Sequence, residues 1–214
     1  AGREQEFLTL LTAAAARLYP SFAANPDYAS IVSERHYARL TGLVADARAK
    51  GAQVVDINPA QEDFAPAARK LPLQVVLGVR DDMALMQEEI FGPLLPLVPV
   101  ADCAAAIAYV NARPRPLALY WFGRDAANRE RVLAETISGG VTVNDTLWHI
   151  AQEDLPFGGV GASGQGAYHG EYGFLAFSKE KPVFHQARLN GASLFYPPYG
   201  RMFERMLALL KKLA

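Results

Sequence analysis

Between Leu94 and Asn144, apolar runs of strand length alternate with segments of helical periodicity. The runs are 94–100, 117–122 and 141–144, and the helical segments are 102–112 and 125–137. Strands that alternate with crossover helices enter a sheet side by side in parallel, and a parallel sheet needs helices over both faces. The expected fold class is therefore α/β: a largely parallel open sheet flanked by helices, with a C-terminal strand and helix tail.

Upstream, Phe7, Leu8, Leu11, Ala15 and Leu18 share one face of a predicted helix that Tyr19-Pro20 ends. Ser33 is placed to cap a second helix with the stripe Tyr37, Leu40, Val44 and Ala47. Gly51 stands where a left-handed residue closes such a helix. Residues 53–57 and 73–79 read as strands, and 182–186 as an edge strand. At the end, Phe203, Met206, Leu207, Leu210 and Leu213 fall on one face of an amphipathic helix, and Lys211 and Lys212 complement the negative end of its dipole.

The 214 residues carry a formal net charge of −1 and no long basic run, which gives no electrostatic reason to expect nucleic acid or a membrane surface as a partner. The apolar windows fall far short of the roughly 20 residues a membrane-spanning helix needs. No basic segment followed by an apolar run opens the sequence, and the expected location is cytoplasmic. Cys103, the one cysteine, has no partner for an internal disulfide, which fits a reducing compartment. It opens an alanine-rich helix and reads as a structural thiol, with no histidine or acid assigned to activate it.

Gly159-Val160-Gly161-Ala162-Ser163-Gly164 has the spacing of a dinucleotide-binding glycine loop. The stretch before it, Glu153-Asp154-Leu155-Pro156-Phe157, is no buried strand, so the favoured reading is a turn needing positive φ or close backbone approach. A serine nucleophile elbow fails as well, because Gln165 stands where the second glycine is required. His36, His149, His169 and His185 show no metal-ligand spacing, and no metal site is expected. The most specific stretch is Glu88-Glu89-Ile90-Phe91-Gly92-Pro93, at the entry to a strand. Its plain reading is helix end, turn and strand. A sharper one is that a carboxylate accepts two hydrogen bonds from a ribose diol while an aromatic face packs on a flat nicotinamide ring.

That hexapeptide resembles the corresponding segment of the aldehyde dehydrogenase superfamily. A second signature agrees: Gly139-Gly140-Val141-Thr142-Val143-Asn144-Asp145, then Leu155 to Gly164, then Gly166-Ala167-Tyr168-His169-Gly170, similar to the class 3 branch. The segments 111–120 and 188–199 are most similar to the coniferyl aldehyde dehydrogenase group, and the resemblance spans nearly the whole chain. It implies oxidation of an aldehyde with NAD or NADP through a cysteine thioester that a glutamate-activated water hydrolyses. By resemblance, Glu89 binds the nicotinamide ribose and Phe91 contacts the ring, core packing being the alternative for Phe91. His149, Ile150, Leu155 and Phe157 are the candidates for the wall of the aldehyde tunnel, suited to an aromatic or medium-chain aldehyde, although Ile150 and Phe157 could equally be core. Asn144 is expected to organise the turn after its strand.

The departures bear on activity. No Gly-Gln-x-Cys segment, no Glu-Leu-Gly-Gly-Lys-like segment and no N-terminal dinucleotide-binding domain occur here, and all three are expected upstream of Ala1. No catalytic residue is therefore assigned, and this chain is expected to bind no cofactor by itself. Residues 1–178 would be part of the catalytic domain and 179–214 the tail of the oligomerisation region. The expected partners are a small aldehyde and further copies of the chain. A stand-alone, non-catalytic interaction module of the same fold is the rival reading.

Overall fold

The computed structural model describes residues 2–213. Two helices, α1 (Glu4–Leu18) and α2 (Glu34–Ala49), precede strands β1 (Gln53–Ile57), β2 (Leu73–Leu77) and β3 (Leu94–Leu97). Then follow α3 (Cys103–Asn111), β4 (Ala118–Trp121), α4 (Ala126–Glu135) and β5 (Gly140–Val143). Two further helices, α5 (Gly170–Ala176) and α6 (Arg201–Leu213), lie beyond the glycine-rich stretch. Three helix starts are capped by side chains, as short polar residues at that position favour. Ser33 Oγ accepts the His36 N–H at 3.3 Å, Asp102 Oδ1 that of Ala105 at 2.8 Å and Asp125 Oδ1 that of Asn128 at 3.0 Å.

The first sheet has the order β1-β2-β3. Its central strand is buried on both faces: Val75 and Val76, adjacent and pointing to opposite sides, are 0 % and 1 % exposed. Val75 joins Leu8 and Ala15 of α1, Phe22 and Ile57 on one face. Val76 joins Leu40, Leu43, Val44 and Ala47 of α2, with Met83 and Leu94, on the other. The helices thus sandwich the sheet, as an α/β architecture requires.

Two details differ from the sequence-based expectation. The strands form two small sheets, β1-β2-β3 and β4-β5, and β1 runs antiparallel to β2, whereas β2–β3 and β4–β5 are parallel. The alternation of strands and helices begins at Leu94, and β1 and β2 lie upstream of it, with the chain turning back between them through residues 58–72 without an α-helix. The segment 182–186 is not a strand. A strand exists only as one side of a ladder, no ladder partner meets this segment among the described residues, and Val183 and Phe184 are left largely bare.

One loop is anchored by a carboxylate. Glu62 Oε1 accepts from Ser21 Oγ at 2.6 Å and the Ala24 N–H at 3.4 Å, and Oε2 from the N–H groups of Phe22 at 2.5 Å and Ala23 at 3.1 Å. The Ser21 hydroxyl first, then the Phe22 N–H, with Ala23 and Ala24 after them, pull the Glu62 carboxyl down to about 2 against its partial desolvation. This clamp holds Phe22, 2 % exposed, beneath Tyr28 and Tyr19, whose ring centroids lie 4.7 and 5.7 Å from it.

Candidate functional site

The turn 88–93 leaves a single 3-10 turn (Ala84–Met86) and enters β3. Arg39 of α2 fastens it from the side. Its Nη1 donates to Glu88 Oε1 and to the Glu89 carbonyl, both at 3.0 Å, and its Nη2 donates to the Ile90 carbonyl at 2.6 Å. Ile90 packs on the α2 side of the core. Gly92 approaches α2 so closely that a Cβ there would meet Leu40 Cδ1 at 2.5 Å. The Pro93 carbonyl accepts the Gln74 N–H at 2.8 Å, which ties the end of the turn to the sheet.

With the backbone held inward, two side chains face outward. Phe91 is 73 % exposed, so it is not core, and its φ of 49° lies in the left-handed region that bulky residues rarely adopt. Such strain costs on the order of 1–3 kcal/mol and persists only where the surroundings over-determine it. The Arg39 bonds and the Gly92 contact supply that constraint. The adjacent carboxylates divide their work: Glu88 pairs with Arg39, while the exposed Glu89 carboxylate enters no hydrogen bond or ion pair among the described residues.

The second group forms around β5. His149 is 8 % exposed and sits against Gly140, where a Cβ would lie 2.5 Å from its Cδ2. Its Nδ1 is 2.7 Å from Thr142 Oγ1, while its Nε2 is buried without a hydrogen-bond partner among the described residues. Phe157 lies 5.9 Å from the His149 ring, stacks on His169 at 5.9 Å and meets Tyr168 edge-on at 5.4 Å. Phe157 and Tyr168 also exchange backbone hydrogen bonds of 3.0 and 2.9 Å. Ile150 and Leu155, at the rim of the loop, are 37 % and 47 % exposed.

The glycine-rich stretch is a folded-back turn rather than a phosphate loop. Gly158 abuts the Gly166 carbonyl and Gly159 the Ser163 carbonyl, closer than any Cβ would allow. Asn144, with φ 57°, accepts the Gly123 N–H on its Oδ1 at 2.8 Å and so joins the loops that follow β4 and β5.

The six residues singled out by the sequence thus fall into two groups, Glu89 with Phe91, and His149 with Phe157 flanked by Ile150 and Leu155. No hydrogen bond or ring contact among the described residues links one group to the other. Arg39 and Thr142, which hold the two groups in place, were missed. Arg39 lies about fifty positions from the turn it fastens, with no local signal, whereas Thr142 sits within the glycine signature itself. Cys103 is half-buried at the first residue of α3, its Sγ 3.8 Å from the Asn128 carbonyl. Among the described residues no group of three or more His, Cys, Asp or Glu could hold a metal ion. None of the described helices is long and apolar enough to cross a membrane.

The profile of the Aldehyde dehydrogenase family matches residues 2–183, and the chain belongs to that family. A "Probable coniferyl aldehyde dehydrogenase" of Pseudomonas aeruginosa is 51 % identical over 205 residues, covering 96 % of this chain and 42 % of that protein. The coniferyl aldehyde dehydrogenase of a Pseudomonas species is 47 % identical over 206 residues, covering 95 % and 43 %. Among solved structures, the substrate-bound state of Staphylococcus aureus AldH superposes with a TM-score of 0.75 at 39 % identity, covering 97 % of this chain and 44 % of that one. The chain therefore spans less than half the length of the relatives it matches.

Proposed function

We propose that this chain supplies the C-terminal part of an NAD(P)-dependent aldehyde dehydrogenase that oxidises aldehydes, aromatic ones such as coniferaldehyde among them, to carboxylic acids. In this reading residues 1–178 belong to the catalytic domain and 179–214 to a tail that joins copies of the enzyme into a homo-oligomer. The observation that carries it is the turn at Glu89 and Phe91: a free carboxylate and a bare aromatic face, two residues apart, on a backbone that Arg39 fixes. That arrangement fits a nicotinamide riboside. The two oxygens of Glu89 can accept both hydroxyls of a ribose, and Phe91 offers a flat apolar surface to a ring. When bound, the nicotinamide group accepts the hydride that the aldehyde carbon loses.

The role of this chain is placement. Hydride transfer tolerates little displacement, about 1 Å costing on the order of a hundredfold in rate. A strained, tethered turn limits such displacement better than a mobile loop. Ile150 and Leu155 give the aldehyde an apolar rim, and His149 and Phe157 give that rim a rigid backing. Cys103 acts as packing. The thiolate nucleophile and the glutamate base come from elsewhere in the enzyme, so the isolated chain has no turnover.

The test has two arms. The purified chain with coniferaldehyde and saturating NAD or NADP should form no reduced cofactor, and measurable turnover would overturn the reading. In the enzyme completed with the remainder of the family's length, Glu89→Gln should lower kcat/KM for the cofactor by roughly ten- to a hundredfold without shifting Tm. Unchanged kinetics there would remove Glu89 from the site.

A further inference from the structure

The two groups of site residues stand on different halves of the molecule. Both hydrophobic core clusters are built from residues within 8–97, and the first sheet closes inside that segment. The second sheet, with α3, α4 and the glycine-rich stretch, comes after the link 98–101. Glu89 and Phe91 belong to the first half, His149 and Phe157 to the second. Outside the link, a single hydrogen-bonded pair joins the halves among the described residues: Arg113 Nη2 donates to Asp81 Oδ1. The pair spans a groove of about 450 Å³ that has Gln87 and Glu89 on one wall and Ala112 and Pro114 on the other.

We propose that this ion pair is a latch that sets the spacing between the cofactor turn and the aldehyde wall, with Arg113 and Asp81 as positioning residues; this rests on the reading of the two groups given above. Each partner is held from its own side. Arg113 Nη1 donates to the Tyr109 carbonyl at 2.9 Å, and its Cζ lies 3.3 Å from the centroid of the Tyr109 ring. A guanidinium fixed by a π-face and a carbonyl loses little freedom when it meets a carboxylate. Tyr109 stands on α3, which Asn111 Nδ2 ties to the Glu135 carbonyl at the end of α4 at 2.7 Å. Just beyond Arg113, the Pro116 carbonyl accepts the Gly139 N–H at 2.9 Å and the Leu117 carbonyl that of Gly140 at 3.0 Å, and Gly140 is the residue His149 sits against. On the other side, the Asp81 carbonyl accepts from Nε2 of Gln87, the residue before Glu88 and Glu89, and Met83 is wholly buried two positions on. A shift of either partner therefore reaches one site group through a few bonds. The Asp81 side chain is 74 % exposed, and pairs so exposed contribute little to stability. What this pair governs is the relative place of two halves that share no hydrophobic core cluster.

Distances between spin labels test the latch in the chain itself. With Cys103→Ser, labels at Arg35→Cys on α2 and Ala127→Cys on α4, both exposed positions, should give a narrow distance distribution that widens when Arg113→Gln is added. In the enzyme completed with the remainder of the family's length, Arg113→Gln and Asp81→Asn should each slow single-turnover hydride transfer by roughly tenfold, the loss expected for a displacement below about 1 Å. The KM for the cofactor and the Tm should hold. The double variant should lose no more than either single one, because both remove the same contact, and Arg113→Lys should recover part of the rate. An unwidened distribution, additive losses or an unchanged rate overturns the proposal. A fall in Tm that parallels the loss of rate also overturns it, because the pair then acts on stability. Unchanged kinetics for Glu89→Gln beside a widened distribution would instead remove the site reading and leave the latch between the halves standing.

Discussion

Thr142 Oγ1 stands 2.7 Å from His149 Nδ1 and 3.3 Å from the backbone N–H of the same residue. The oxygen accepts the backbone N–H, and its second lone pair or its own O–H meets Nδ1. The other ring nitrogen, Nε2, is buried facing Gly140 with no partner among the described residues. One hydroxyl thus fixes the position of the imidazole that backs Phe157.

Thr142→Val removes that hydroxyl and keeps the shape. It should cost about 1–3 kcal/mol, the penalty for leaving a buried polar group unpaired, whereas Thr142→Ser should cost less. Thermal unfolding of the two variants measures the difference.

Gly140→Ala would place a Cβ 2.5 Å from His149 Cδ2 and 3.1 Å from Nε2. The ring must move, and overpacking of this kind costs roughly 1–3 kcal/mol. The expected outcome is a lower Tm with loss of the aromatic near-UV signal from the Phe157 and Tyr168 cluster. An unchanged Tm would show that the ring yields freely.

The clamp by Glu62 makes stability depend on acid. Its folded carboxyl sits at about 2, against an ordinary value of 4.5. A depressed carboxyl stabilises the fold fully above the unfolded value, and that contribution is lost as pH falls from about 4.5 towards 2. Glu62→Gln should be less stable at neutral pH and show a flatter decline across that window in acid denaturation. Parallel curves for the two proteins would exclude the clamp.

Tyr28 gives the mirror image in base. Its hydroxyl donates to the Leu71 carbonyl at 2.9 Å, and burial, with the neighbouring Tyr19 second, pushes its pKa up to about 12. A raised value means the contribution is complete below the unfolded value of 10 and lost as pH rises towards 12. Tyr28→Phe should lose about 1 kcal/mol at neutral pH, one buried hydrogen bond. It should also shed part of the alkaline sensitivity, as an alkaline unfolding titration would reveal.

Arg39→Met cuts three hydrogen bonds to the turn and keeps most of the side chain's bulk. Hydrogen bonds from a charged donor are worth roughly 1.5–3 kcal/mol, discounted here because the pair with Glu88 is partly exposed. Amide exchange at Ile90 to Gly92 should quicken well beyond any change at β2. Equal acceleration at both would make Arg39 a general stabiliser rather than a fastener of the turn.

Local chemistry determined what lies close in the chain. The cap Ser33, the bend at Gly51 and the strand-helix alternation were legible because each depends on residues a few positions apart, whereas the caps Asp102 and Asp125 emerged only with the structure. The identity of the two signatures was legible too, because short runs of glycine, acid and aromatic residues occur in few other combinations. Tertiary structure decided the rest. The antiparallel β1, the split into two sheets and the absence of a ladder at 182–186 depend on which strands meet, and pairing is a long-range choice. So is the division between Glu88 and Glu89: side by side in sequence and alike in chemistry, they differ because the Arg39 guanidinium on α2 pairs with the carboxylate of the first and only with the backbone carbonyl of the second.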